Sequence, residues 1–169
     1  MNKTFKLVAA ILALFTCVCM VGCNNIDLSD TASMPNHSIC ETVNLDKFSF
    51  TPVEIAQVPP SPDHIFSPKD GNVFLIIKLN VKNISEEETI ISSLGMFAGY
   101  ADGKHVDLSI KAYTALTNVL ELDGSLAPNE TKTGHIIVEV PEDWQEFKLI
   151  IKSSVLSTNR ALFTFSNQG

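Results

Sequence analysis

The sequence predicts an all-β domain, a two-layer sandwich of about seven or eight short strands. Three observations carry this. Apolar residues recur with a period of two over 72–83 and 132–140. Turn-forming residues separate the runs at 101–104 and 126–130. Neither run carries the i, i+3, i+4 stripe of an amphipathic helix.

Before the domain stands a leader. Lys3 and Lys6 supply a positive start, and 7–21 is apolar apart from Thr16. That run is short of the ~20 residues needed to cross a bilayer, and it matches the apolar core of a signal peptide. It ends in Met20-Val21-Gly22-Cys23. A small residue before cysteine lets the chain enter a peptidase in extended form. The tetrapeptide resembles the lipobox of bacterial lipoproteins, with Met20 where leucine is commonest. The resemblance implies cleavage between Gly22 and Cys23 and a diacylglyceryl group, with its palmitate-type chains, on the Cys23 sulfur. Residues 1–22 are thus expected to leave as a signal-peptide helix, and the protein to sit on the extracytoplasmic face of the cell membrane.

Residues 23–44 are rich in Ser, Thr, Asn and Asp and show no period. They are expected to form a flexible tether, holding the domain on the order of 25 Å from the membrane by coil scaling. Within it Met34, His37 and Cys40 are spaced by three. On a helical turn they would offer soft ligands to copper or zinc, although Pro35 and Asn36 oppose a helix there. With Cys23 acylated, Cys40 has no disulfide partner, and the domain must rely on its core.

The domain is expected to fill 45–169. Phe48 to Val58 gives edge segments, with Pro52 marking a bulge or break. In 72–83 one face carries Val73, Leu75, Ile77, Leu79 and Val81. The other begins with Phe74 and Ile76 and turns polar, as a strand does on leaving a covered area. Glu86–Glu88 reads as a solvated turn. Asp102-Gly103 predicts a tight hairpin between strands near 94–100 and 104–110. Residues 111–126 read as a loop or one helical turn. Pro141 ends the strand over 132–140, and 147–151 and 161–165 supply two more. Strands of this number and length point to an immunoglobulin-like sandwich.

The body also resembles a bacterial lipoprotein family whose immunoglobulin-like domain has no known function. Its fold is shared with a mycobacterial immunoprotective extracellular antigen. The resemblance rests on Leu79-Asn80-Val81-Lys82-Asn83, on Phe97 with Asp102-Gly103, and on the turn 126–130 with Gly134 and Val140-Pro141; Asn129 stands where glycine is usual. These motifs are structural and imply a fold, not a chemistry.

Charge narrows the partners. The chain has 12 basic and 19 acidic residues, and loss of Lys3 and Lys6 leaves 10 against 19. Such a surface repels phosphate backbones and anionic lipid, so no nucleic-acid partner is expected. No nucleophile elbow, phosphate loop or CxxC pair occurs in the mature part. His64, His105 and His135 are far apart, although neighbouring strands would bring His105 and His135 together. Trp144 reads as a plug for the sandwich end, with ligand contact as its alternative role. The expectation is a non-enzymatic, cofactor-free module that binds an extracytoplasmic protein or glycan. The alternative is a copper or zinc carrier, or an envelope enzyme, using Cys40 and histidine chemistry.

Overall fold

The computed structural model describes residues 28–167. The leader and the expectations for Gly22 and Cys23 lie outside them. After a 3-10 turn at Leu28–Ser33 come β1 (Asn36–His37), β2 (Val43–Leu45), β3 (Phe48–Val58), β4 (Asn72–Asn83) and β5 (Thr89–Ile91). A helical turn α1 (Ser93–Met96) precedes β6 (Phe97–Ala101) and β7 (Lys104–Val106). Then follow α2 (Ile110–Ala115), β8 (Gly124–Leu126), β9 (Thr131–Pro141), β10 (Glu146–Lys152) and β11 (Arg160–Ser166).

The strands form a β-sandwich. One sheet has the order β1-β11-β10-β6-β7 and the other β2-β3-β4-β9, with β5 and β8 paired separately. Five of the eleven described strands have three residues or fewer, so the six longer ones make the body that the periodicity predicts.

The predicted alternation of β4 is the packing of β4. Val73, Leu75, Ile77, Leu79 and Val81 are buried in the central core with Ile136, Val138 and Val140 of β9. From the opposite sheet come Phe147, Leu149 and Ile151 of β10 and Phe163 and Phe165 of β11. Each such side chain taken from water stabilises the fold by roughly 1.5–3 kcal/mol before entropy is counted. The other face of β4 is covered only at its start, where Phe74 and Ile76 join Ile137 under Ala112, Tyr113 and Leu116. Beyond α2 the same face turns to Lys78, Asn80 and Lys82. Pro52 breaks the β3–β4 register, which shifts between Pro52 and Glu54.

The turns follow their chemistry. Asp102 and Gly103 both take positive φ, 47° and 78°, as the primed hairpin requires. The Asp102 carboxylate accepts the backbone N–H groups of Gln145 and Glu146 at 3.0 and 2.9 Å, fixing the hairpin to the start of β10. Asn129 holds φ 63°, which explains asparagine in glycine's usual place.

Two expectations are corrected. The strand expected near 94–100 starts at Phe97, because Ser93–Met96 coils into α1 with the Ser93 N–H and hydroxyl held by the Asp123 carboxylate. Its partner, expected to run to 110, ends at Val106 because the chain changes sheet there: Leu108 bridges Val138 of β9, and the Ser109 N–H donates to the Ile137 carbonyl at 2.7 Å.

The segment expected as tether is also partly folded. Asn36–His37 pairs in parallel with β11 in one sheet, Val43–Leu45 pairs with β3 in the other, and the Cys40 N–H between them donates to the Pro52 carbonyl at 2.7 Å. Thus at both sides of the sandwich the chain crosses between sheets, which shortens the exposed edges.

Candidate functional site

Where β7 leaves its sheet for the other, the surface is hollow. A cleft of 550 Å³ lies between the segment before β4 and the start of α2, lined by Lys69, Asn72, Leu108, Lys111 and Glu139 among others. A second, of 200 Å³, lies beside Leu94, His105 and Leu108. A third, of 180 Å³, is walled by Ser93, Leu108, Ile110, Tyr113, Glu121 and Asp123. Leu108 lines all three, so they form one furrow along 106–111. Leu94 and Ile110 stand at its rim, 67% and 62% exposed.

The walls are braced from beneath. Glu139 accepts the Lys69 N–H at 2.9 Å and the Asn72 amide at 2.8 Å, closing one end. The Tyr113 hydroxyl donates to the His135 carbonyl. Burial, with Asp123 and Glu121 nearby, pushes the Tyr113 phenol up to about 12, so this donor keeps its proton. His135 accepts the Leu120 N–H on Nδ1 at 2.9 Å, which places its neutral-form proton on Nε2. Its backbone N–H donates to the Leu120 carbonyl at 2.8 Å. Around the furrow Asp107, Glu121, Asp123 and Glu139 stand against Lys69 and Lys111. The site therefore offers an apolar rim and an acidic lining.

Of the residues singled out from sequence, His105 lines the furrow and His135 braces its wall, while the others lie elsewhere. Met34, His37 and Cys40 do not share a helical turn, because His37 is in a strand and Cys40 takes φ 67°. Met34 packs on Tyr100, Ile150 and Leu162, and His37 packs its ring against Phe163 at 5.6 Å and meets Glu41 at 3.1 Å. The Cys40 thiol is exposed. Among the described residues no group of three His, Cys, Asp or Glu gathers as metal ligands. His105 and His135 sit in different sheets. Trp144 is 2% exposed and part of the core: it fills the sandwich, and its ring offers no surface for the ligand contact considered for it. Glu87 pairs with Lys47 at 2.9 Å, while Asp102 is engaged by backbone. Sequence reasoning missed Leu94, Leu108 and Ile110. Their one signal was apolar character, which the strands expected near 94–100 and 104–110 absorbed.

Residues 37–161 match the family described as a domain of unknown function, DUF4352. The chain belongs to that family. The match starts at His37, inside β1, consistent with a domain that begins before residue 45. Several solved structures share the sandwich of this DUF4352 domain. The ycdA protein of Bacillus subtilis, described as a putative lipoprotein, matches with a TM-score of 0.61 at 14% identity, over 79% of this chain and 40% of its own. The yjhA protein of Bacillus subtilis matches at 0.57 and 19% identity, over 77% and 99%. An uncharacterized β-sandwich protein of Clostridium difficile matches at 0.51 and 20%, over 79% and 96%. At these identities the likeness is one of fold. No curated protein matches the chain.

Proposed function

We propose that this DUF4352 protein is a non-enzymatic binding module, held at the outer face of the cell membrane by lipid on Cys23, and that the furrow along 106–111 is its ligand surface. The furrow carries the reading: three clefts meet at Leu108 under two exposed aliphatic side chains. Exposed apolar residues beside recessed polar ones are the usual dress of a contact surface. Four carboxylates against two lysines favour a peptide or protein segment that carries aliphatic and basic side chains. The lipobox-like Val21-Gly22-Cys23 supports the anchor, and ycdA, which shares the fold, is described as a putative lipoprotein.

Two experiments test the two halves. Labelled fatty acid should enter the wild-type protein and not Cys23→Ala; an unlabelled wild type ends the anchored reading. Cross-linkers placed at Lys111 on intact cells should capture a discrete partner, lost in Leu94→Asp with Ile110→Asp. Equal capture by that variant ends the furrow reading.

A further inference from the structure

A stretch of sheet edge in β3 carries main-chain groups without partners. β2 pairs with β3 only from Phe48 to Phe50, and the Cys40 N–H takes the Pro52 carbonyl at 2.7 Å. Beyond Pro52, β3 is paired on its β4 side alone. Which groups face outward follows from β9. The His135 N–H and the Ile137 carbonyl bond Leu120 and Ser109, away from β4. Opposed antiparallel residues either face each other or face apart together. Lys78 and Ile76, opposite His135 and Ile137, therefore turn their own groups toward β3. There they meet Glu54 and Ala56. Ile55 and Gln57, which alternate with these, point N–H and C=O away from β4. Among the described residues none takes up these four groups.

Such an edge is a template for another strand, and here it is delimited at both ends. Val53 is the extra residue at the register shift between Pro52 and Glu54. Pro59, next in the outward series, has no N–H to give. The open ladder is thus Ile55 and Gln57. A second copy of β3 presents the same two residues. Laid antiparallel, with Ile55 opposite Gln57 of the second copy and Gln57 opposite its Ile55, it bonds all four groups of each chain. The two-fold axis then passes through Ala56.

The side chains suit that pairing. Ala56 takes the non-hydrogen-bonded position on the axis, where Cα atoms approach to about 4.5 Å and a small side chain fits. Glu54, paired with Lys78 at 3.7 Å, falls opposite Val58 of the second copy, so no like charges meet across the strands. At each end Pro52 faces Pro60 of the second copy. Beside Pro52 stands Ile39, 40% exposed, next to the bonded Cys40. Beside Pro60 stand Ile65 and Phe66, 81% and 42% exposed. Their loop is folded back by the Ser67 hydroxyl, which donates to the Ser61 carbonyl at 2.8 Å. Apolar groups exposed in the single chain are thereby brought together at both ends of the joint. Glu41, near Ile39, is turned to His37 at 3.1 Å.

We propose that the chain forms a two-fold dimer in which β3 pairs with β3 of a second copy, antiparallel and centred on Ala56. The joint uses neither Cys23 nor the furrow. β9, which carries Glu139 of the furrow, is at the opposite edge of the same sheet, so the dimer presents one furrow at each outer edge of the joined sheet. Two sites on one body favour a ligand or partner that repeats, because the second contact is intramolecular.

The test is disulfide trapping of the full chain on intact cells with added oxidant, in a Cys40→Ser parent. Two copies of Ala56→Cys stand about 4.5 Å apart at Cα, inside the disulfide span of about 4.4–6.8 Å. Two copies of Glu54→Cys stand about 13 Å apart along the strands, outside it. Counted over the parent, Ala56→Cys should link to itself severalfold more than Glu54→Cys. Equal linking of both, or of neither, overturns the dimer, and preferential linking of Glu54→Cys overturns the register. Ala56→Cys bonded to a different protein overturns the second copy as occupant. Light scattering of the purified full chain gives the independent measurement. Its mass should be that of two copies. Ala56→Lys, which sets like charges opposite each other at the axis, should reduce it to one while the protein stays folded. A wild-type mass of one copy, or two copies kept in Ala56→Lys, overturns the proposal.

Discussion

The Asn83 amide, fully buried at the end of β4, donates to the Leu126 carbonyl 43 residues away at 3.0 Å. The same amide donates to the Glu87 carbonyl at 2.7 Å, and its oxygen accepts the Ser85 N–H and hydroxyl at 2.9 and 2.8 Å. Its backbone N–H and carbonyl engage Glu130 and Asn129. One side chain thus shapes two loops and aligns β5 with β8. Asn83→Ala strands buried carbonyls, and the loss should be about 3 kcal/mol in urea unfolding. Asn83→Asp, which cannot donate when ionised, should lose at least as much; a change under about 0.5 kcal/mol would contradict this account.

Gly134 is fixed by contact. A Cβ there would sit 2.7 Å from Leu122 Cγ and 3.1 Å from the Leu120 carbonyl oxygen. Gly134→Ala should therefore cost about 1–3 kcal/mol by overpacking. Because Leu122 is the obstacle, the double variant with Leu122→Ala should be more stable than the sum of the two single losses predicts. Strict additivity in that cycle would show that the contact is not the cause.

Asp46 and Tyr113 each make stability depend on pH, from opposite sides. Hydrogen bonds from Ser153 and then Asn159 hold the Asp46 carboxyl below its usual range. In the unfolded chain it binds a proton more readily, so its contribution is present above the ordinary carboxylate pKa and is lost as pH falls through the lowered one. Asp46→Asn should flatten the acid limb of a melting-temperature profile, and an unchanged limb would exclude the link. The Tyr113 phenol, raised to about 12, is protonated in the fold when the unfolded one ionises near 10. Its contribution is full below pH 10 and declines as pH rises through 12. Tyr113 should ionise above the ordinary tyrosine range in a titration at 295 nm, and Tyr113→Phe should remove its share of the absorbance change.

Leu94→Asp and Ile110→Asp remove aliphatic rim without touching the core, since both side chains are largely exposed. Melting should shift by less than about 0.5 kcal/mol in each, while partner capture at the furrow falls at least severalfold. Lost stability without lost capture would reverse the assignment.

Much of the fold was legible because its signals are local. Alternation in 72–83 named the five buried apolar residues on the core face of β4, Asp102-Gly103 named its hairpin, and Pro52 and Pro141 marked a bulge and a strand end. The same locality explains the failures. Residues 36–45 carry no alternation, because two- and three-residue strands bury too few side chains to leave a period. Leu94, Leu108 and Ile110 gave no motif, since their chemistry is ordinary until they are brought together. Trp144 was readable as a plug or a contact, and only its surroundings decide between them.

By itself the sequence determined an all-β sandwich with its principal strands and turns; the leader ending in Val21-Gly22-Cys23 is an expectation that lies outside the described residues. Period-two burial and positive-φ turns are written residue by residue. The tertiary structure alone decided the furrow at Leu108 and the docking of Met34 on the larger sheet. These depend on the chain crossing between sheets at 38–43 and 106–109, where pairing partners lie far away in sequence and no local pattern records them.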